Sequence, residues 1–391
     1  MYKEAAFQSF FNGVTLVVVA AATIVTAGLL GPSGFGKYAA LQSIAAMLMP
    51  LVTLRIETRI ATCASMEQLS RLLSATATSV VSFVVVGVLI TPVLGFYFEW
   101  KLVLAVIVLA ASSAILETLI SGYSYQGETR KVVKFRVVRQ VLPSGAVLLC
   151  TFLFKDLQLA VAALVVSTLI CVIILLLPIK HRLSLSIQVM RNIISEYASG
   201  LRASLALGSL NSVWSNGLLP LMNAMGLPYI AGQYAVAQRL MNAPLSVVAV
   251  AVQSVLLKGG NRLHEEGGRI LTKVILLFFM AVLLAGMLYW AIYVQTIIPF
   301  PEKWKLDESL FCAASFFSAC SFAVGTVSII GVRLRDEWFL ANWQLAFIIL
   351  WAVLLMFFHS NTAFVYMLVV GGAGYWILLA RWVNLSRKKH G

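Results

Sequence analysis

Apolar runs of about 20 residues, the length that crosses a bilayer as a helix, follow one another from one end of this chain to the other. Backbone N–H and C=O groups in hydrocarbon must find their partners within the protein, so runs of this length fold as membrane-spanning helices. The composition agrees. Of 391 residues, 61% are hydrophobic and 11% charged, whereas soluble domains carry roughly 45–50% apolar and about 25% charged residues. That balance excludes a soluble globular chain.

The runs predict twelve spans. Six fall near residues 9–30, 36–58, 74–97, 101–122, 131–154 and 158–179, and six more near 201–225, 231–257, 270–298, 308–331, 338–358 and 362–384. The fifth opens on Lys131, Lys134, Arg136 and Arg139, which places its first half in the headgroup region or on the membrane surface. The chain begins Met1-Tyr-Lys-Glu4 and runs into apolar sequence without a small-residue cleavage site, so the first run is expected to stay as a helix. The expected fold is all-α and polytopic, with two pseudo-symmetric six-helix lobes around a central cavity. Residues 1–180 form the first lobe, 181–200 a cytoplasmic linker and 201–391 the second lobe.

Cytoplasmic loops carry the excess of Lys and Arg. In the twelve-span arrangement 23 of the 29 basic residues collect on one side, including Arg55, Arg59, Arg71, the group Arg130 to Arg139, Arg202 and the cluster Arg387-Lys-Lys389. The opposite side holds Lys37, Lys101, Lys155, Lys303 and Lys305, and Arg239 lies within a span. Both termini are therefore expected in the cytoplasm. The formal charge of +14 reads as an orientation signal with attraction to anionic membrane lipids, not as a nucleic-acid footprint.

An internal repeat supports two halves. An offset of 196 places Pro32 on Pro228, Gly36 on Gly232, Tyr38 on Tyr234, Ala39 on Ala235 and Gln42 on Gln238. An even number of helices between the copies gives both halves the same orientation, related by an axis along the membrane normal. The cluster from Gly31 to Gly36 reads as a tight turn between two spans.

The segment Leu29-Leu-Gly-Pro-Ser-Gly-Phe-Gly-Lys-Tyr-Ala-Ala-Leu-Gln-Ser-Ile44 resembles the opening signature of the polysaccharide-transport branch of the multidrug/oligosaccharidyl-lipid/polysaccharide exporter superfamily. Its partner, Gly232-Gln-Tyr-Ala-Val-Ala-Gln-Arg-Leu-Met-Asn-Ala-Pro-Leu245, resembles the matching signature of the second half. The resemblance implies an O-antigen or capsule flippase of the bacterial inner membrane. Such a protein carries undecaprenyl-pyrophosphate-linked oligosaccharide across the bilayer by alternating access, and the polysaccharide polymerase and chain-length machinery are its implied partners.

A charge at the bilayer centre costs at least about 2.5–3.5 kcal/mol, so intramembrane polar residues mark cavities or buried pairs. Arg239 lies seven residues beyond Gly232, about 10 Å into its helix at 1.5 Å per residue. It is expected either to face the central cavity, where a guanidinium grips a pyrophosphate by paired hydrogen bonds, or to snorkel or pair as a structural arginine. Glu117 is expected as a cavity or proton-coupled carboxylate or as half of an ion pair. Arg55 and Glu57 are expected near the cytoplasmic end of the second span, as cavity residues or as interface markers. Gln42, Gln238, Asn211, Asn216 and Asn223 are candidates for hydrogen bonds to sugar hydroxyls, or for contacts between helices. Arg139 and Arg202 are expected at the cytoplasmic mouth.

Catalytic and cofactor signals are missing. The histidines His181, His264, His359 and His390 are far apart, and no nucleotide loop or nucleophile elbow occurs. The five cysteines show no metal-ligand spacing and read as small core residues. A membrane glycosyltransferase or O-antigen polymerase is the rival of another class. A polymerase is expected to carry a large external loop, whereas the longest here is Pro299 to Asp307. A small-molecule exporter of the same superfamily is the third reading.

Overall fold

The computed structural model describes the backbone of residues 2–63, 65–95, 99–126, 128–176, 184–258, 267–289, 304, 307–326, 337–357 and 361–388. Among them the chain is helical from end to end, with no strand. Most of the expected Pro299–Asp307 loop lies outside the described residues. The helices are α1 (Tyr2–Thr53), α2 (Met66–Leu94), α3 (Trp100–Tyr125), α4 (Thr129–Phe154), α5 (Leu157–Leu176), α6 (Ile187–Glu196), α7 (Ala198–Asn216), α8 (Leu218–Ala224), α9 (Pro228–Lys258), α10 (Gly267–Tyr289), α11 (Glu308–Thr326), α12 (Glu337–Phe357) and α13 (Asn361–Lys388). Among the described residues nine stretches are long and apolar enough to cross a membrane, the first of them, Gly13–Thr53, long enough for two spans. The protein is a multi-pass membrane protein, and the all-α, polytopic fold class expected from the sequence is the one observed.

The chain parts into two compact units. One comprises Met1–Leu30 and Gly34–Pro228, the other Gly31–Ser33 and Tyr229–Gly391. Helices α7 and α8, expected to open the second lobe, group with the first unit.

Three local expectations are corrected. The turn between the first two spans is a single residue: within α1 only Gly31 departs from helical geometry, at φ 71° and ψ 169°, while Gly34 and Gly36 are helical. Pro32 follows at once, where its fixed φ and missing N–H suit the first turn of a new helix. The second span ends at Thr53 and not near residue 58, because Leu54 (φ 51°) and Arg55 (φ 58°) are left-handed and the chain continues as a 3-10 turn, Ile56–Thr62. The expected span 201–225 is shorter pieces, α7 and α8, parted at Gly217. Its sequence, with Arg202, Asn211 and Asn216, falls outside the candidate spans.

In the first unit, α3 is the central helix. Its buried face carries Ala110, Ala111 and Ala114, so neighbouring backbones approach closely, while Leu116, Leu119, Ile120 and Tyr123 pack with Val132, Phe135, Cys171, Val172 and Leu175 of α4 and α5. Hydroxyls within spans bond back to their own helix, as Thr76 does to Leu72 O (2.9 Å) and Thr118 to Ala114 O (2.8 Å). Ser79 instead donates across to Val52 O at 2.7 Å. Apolar side chains such as Val17, Leu89 and Phe152 point outward, exposed at 70%, 71% and 65%, which suits faces solvated by lipid.

The expected linker is an amphipathic helix laid on α2. Ile193 of α6 is fully buried with Ile56, Ile60, Leu69 and Leu72, a burial worth about 1.5–3 kcal/mol. Backbone N–H groups of Ser184 and Ser186 donate to Ser74 and Thr78 (3.2 and 3.0 Å), and Gln68 donates to Tyr197 OH at 2.6 Å.

In the second unit, small residues of α11 (Ala313, Ala314, Ala319, Cys320) are buried against α13, where Gly372 leaves room for Phe316. Trp351 of α12 donates its indole N–H to Met367 O at 3.0 Å. Gln233, 1% exposed, accepts from the Asp307 N–H (3.2 Å) and so ties α9 to the start of α11. Gly31 and Gly226 are the described glycines with positive φ (71° and 75°), the first immediately before Pro32 and the second two residues before Pro228, and of the positions that the repeat aligns Tyr38, Ala39, Tyr234 and Ala235 are all buried.

Replacing Gly31 with alanine puts a side chain at positive φ, which costs about 1–2 kcal/mol. Gly145 is helical with open space around its Cα, and alanine there gains about 0.5–1 kcal/mol. Thermal midpoints of the detergent-purified chain are expected to fall for Gly31→Ala and to hold or rise for Gly145→Ala. Equal midpoints would remove Gly31 as the conformational hinge of α1.

Candidate functional site

The first unit contains a cavity of about 510 Å³ at the end where α3 finishes and α4 begins. Three elements build it. Met49 comes from α1, and the left-handed break after Thr53 delivers Arg55, Glu57 and Thr58. The last turns of α3 supply Glu117, Ile120, Ser121, Ser124 and Tyr125, and α4 supplies Arg136. A non-glycine residue at positive φ is a strained choice, and here two in succession turn the chain out of its helix at the cavity wall.

Charges are paired around this space. The Arg55 guanidinium stands 3.6 Å from the Glu57 carboxylate, and Arg139 of α4 hydrogen-bonds Glu117. Glu57 is 7% exposed. Burial pushes its carboxyl up from the ordinary value, against the opposing pull of a Thr53 hydrogen bond and the Arg55 charge. The Arg55 side chain runs across Gly208 of α7, whose missing Cβ leaves the room, with Nε 2.8 Å from where that Cβ would stand. Arg59 passes in the same way over Gly200 and lies over the Tyr197 ring at 5.7 Å.

Of the residues singled out in the sequence, Arg55, Glu57 and Glu117 meet at this cavity, and Gln42, Asn211, Asn216, Gln238 and Arg239 are not among its lining residues. Gln42 donates to Tyr38 OH at 3.0 Å, Asn216 to Ser212 O at 3.1 Å, and Asn223 to both Gly36 O and Leu219 O. Asn211 is exposed, and Gln238 and Arg239 are half-buried on α9. Sequence reasoning missed Thr58, Ser121, Ser124 and Tyr125. The signal was present, since Glu117, Ser121 and Ser124 recur at i, i+4 and i+7, one face of a helix.

Comparison with known proteins shows which family this multi-pass helical bundle belongs to and which folds it is similar to. The chain belongs to the polysaccharide biosynthesis protein family, whose model matches residues 5–257. Its fold is similar to the eukaryotic MATE transporter AtDTX14 (TM-score 0.59, 17% identity, covering 98% of this chain and 96% of that one). It is also similar to the MATE multidrug transporter DinF-BH (0.62, 14%, 98% and 96%). A third likeness is to an outward-facing multidrug resistance MATE family transporter of the MOP superfamily (0.56, 15%, 97% and 97%). No protein in the curated set matches the chain.

The Glu117–Arg139 pair is about one-third exposed, so screening limits its worth. A double-mutant cycle of Glu117→Gln and Arg139→Gln, read by thermal midpoint, is expected to give a coupling of about 1 kcal/mol or less. A much larger coupling would mean that the pair holds α3 to α4, not that it lines a site.

Proposed function

We propose that this protein is a flippase that moves polyprenyl-diphosphate-linked oligosaccharide, of O-antigen or capsule type, across the bacterial inner membrane. Membership of the polysaccharide biosynthesis family carries the reading, and the transporter fold supports a translocation step in place of covalent chemistry. On the positive-inside count both termini and the cavity of the first unit face the cytoplasm. There the sugars and diphosphate enter from the leaflet on which they are made. Transport proceeds by alternating access, the polyprenyl tail remaining in lipid. Arg239 is the residue we assign to the diphosphate. Arg55, Glu57 and Glu117 form the polar entrance, with Gln42, Gln238, Asn211 and Asn216 as further polar groups along the route. Polymerase and chain-length proteins are its partners.

Small-molecule export is the second reading, favoured by solved structures that are described as multidrug transporters. Deletion of the gene in a host that makes a surface polysaccharide separates the two. The expected phenotype is loss of polymer with unpolymerised lipid-linked units held in the cytoplasmic leaflet, rescued by wild type and at least tenfold less by Arg239→Ala at equal membrane abundance. Normal polymer in the deletion strain, with lost drug tolerance, would replace the flippase with an exporter. Gly208→Ala, whose new methyl displaces the flexible end of Arg55, is expected to reduce rescue several-fold without changing abundance. Undiminished rescue would remove the placement of Arg55 from the mechanism.

A further inference from the structure

Another cavity of the first unit, about 450 Å³, is a groove between α3 and α5. Leu104, Ala105 and Val108 of α3 and Val161, Ala162 and Val165 of α5 line it, each set at the spacing i, i+1 and i+4 that makes one stripe of a helix. Its mouth lies where both helices begin and is polar: Glu99, Lys101 and Gln158 stand there with Trp100, whose side chain is 55% exposed. Val108 is seven residues beyond Lys101, about 10 Å at 1.5 Å per residue, against about 15 Å for the hydrocarbon of one leaflet. The groove therefore starts at headgroup level, where tryptophan collects, and runs into the depth of a single leaflet.

The chemistry of floor and mouth selects the guest. Below the mouth every lining side chain is aliphatic, which suits an acyl chain and gives a sugar or a free ion nothing to bond with. At the mouth the Lys101 ammonium and the Glu99 carboxylate have opposite signs, and among the described residues neither has an ion-pair partner. Lys101 Nζ stands 5.9 Å from the centre of the Trp100 ring. A lipid whose one charge is a phosphate, such as phosphatidylglycerol, answers Lys101 and is repelled by Glu99. Phosphatidylethanolamine answers both: its phosphate accepts from Lys101 and its ammonium donates to Glu99. A quaternary headgroup has no N–H for the carboxylate. Gln158 supplies an amide N–H for an ester carbonyl at the top of the chain.

We propose that the groove between α3 and α5 binds one molecule of phosphatidylethanolamine, with its phosphate on Lys101, its ammonium on Glu99 and one acyl chain along the aliphatic floor. On the positive-inside count the mouth, which holds Lys101, lies on the extracytoplasmic side, so the lipid is drawn from that leaflet. The site does not depend on the flippase reading.

The test is native mass spectrometry of the full chain, purified in detergent and titrated with equimolar palmitoyl-oleoyl phosphatidylethanolamine, phosphatidylglycerol and phosphatidylcholine, with undecaprenyl phosphate as a separate arm. A single phosphatidylethanolamine adduct is expected to outlast stepwise collisional activation and to exceed the phosphatidylglycerol adduct at least threefold. Glu99→Gln is expected to bring those two lipids level. Ala162→Phe fills the floor and keeps both charges, and is expected to reduce the adduct threefold or more. Glu99 and Ala162 are both exposed, so neither change disturbs the packed core. Val85→Phe, at a position 53% exposed and outside the groove, is expected to leave the adduct unchanged. Level retention of phosphatidylethanolamine and phosphatidylglycerol by wild type, retention that either groove variant leaves intact, an equal loss in Val85→Phe, or stronger retention of undecaprenyl phosphate in the groove overturns the proposal.

Discussion

The membrane-spanning helices of this protein answer to one constraint: a peptide group in hydrocarbon has no water to bond with. Long helices meet it through their own i to i−4 bonds, and hydroxyls within spans follow the same rule, as Thr76, Thr118, Thr151 and Thr168 each donate to a carbonyl one turn back. With the backbone satisfied internally, helix association falls to close packing. Alanine-rich faces on α3 and α11 and glycines such as Gly372 supply it.

Departures from the rule are therefore informative. The chain leaves helical geometry at Gly31, within α1, and again at Leu54–Arg55, after it. Glycine makes the first departure without strain. The second uses ordinary residues in a strained conformation, and its result is that Arg55 and Glu57 turn from the end of α1 toward the last turns of α3. Charge gathers at that break: Arg55, Glu57, Glu117, Arg136 and Arg139 lie around one end of the first unit, where the two ion pairs offset part of the cost of burying Glu57 and half-burying the others. Glycines on α7 complete the arrangement by giving Arg55 and Arg59 a path across the helix.

Individual residues show which features were legible. Arg55, Glu57 and Glu117 could be picked out because charges are rare among these apolar runs, and three of them converge on one cavity. Ser121, Ser124 and Tyr125 escaped notice because hydroxyls and aromatics are common in membrane helices and bond to their own backbone as readily as to a ligand. Asn216 and Asn223 read equally as sugar contacts or as contacts between helices, and their amides donate to carbonyls of Ser212, Leu219 and Gly36. The amphipathic pattern of residues 187–196 was hidden by its polarity, since a stretch with so many polar residues reads as a connector until Ile193 is seen buried on α2.

By itself the sequence determined the all-helical, multi-pass class and the positions of most helices, because these depend on the length of apolar runs. Only the tertiary structure decided where α1 ends, that α7 and α8 join the first unit, and that carboxylates 60 residues apart in sequence, Glu57 and Glu117, share one cavity. Those outcomes turn on which side chains find space and partners across helices, a property of packing between segments that no local run of residues contains.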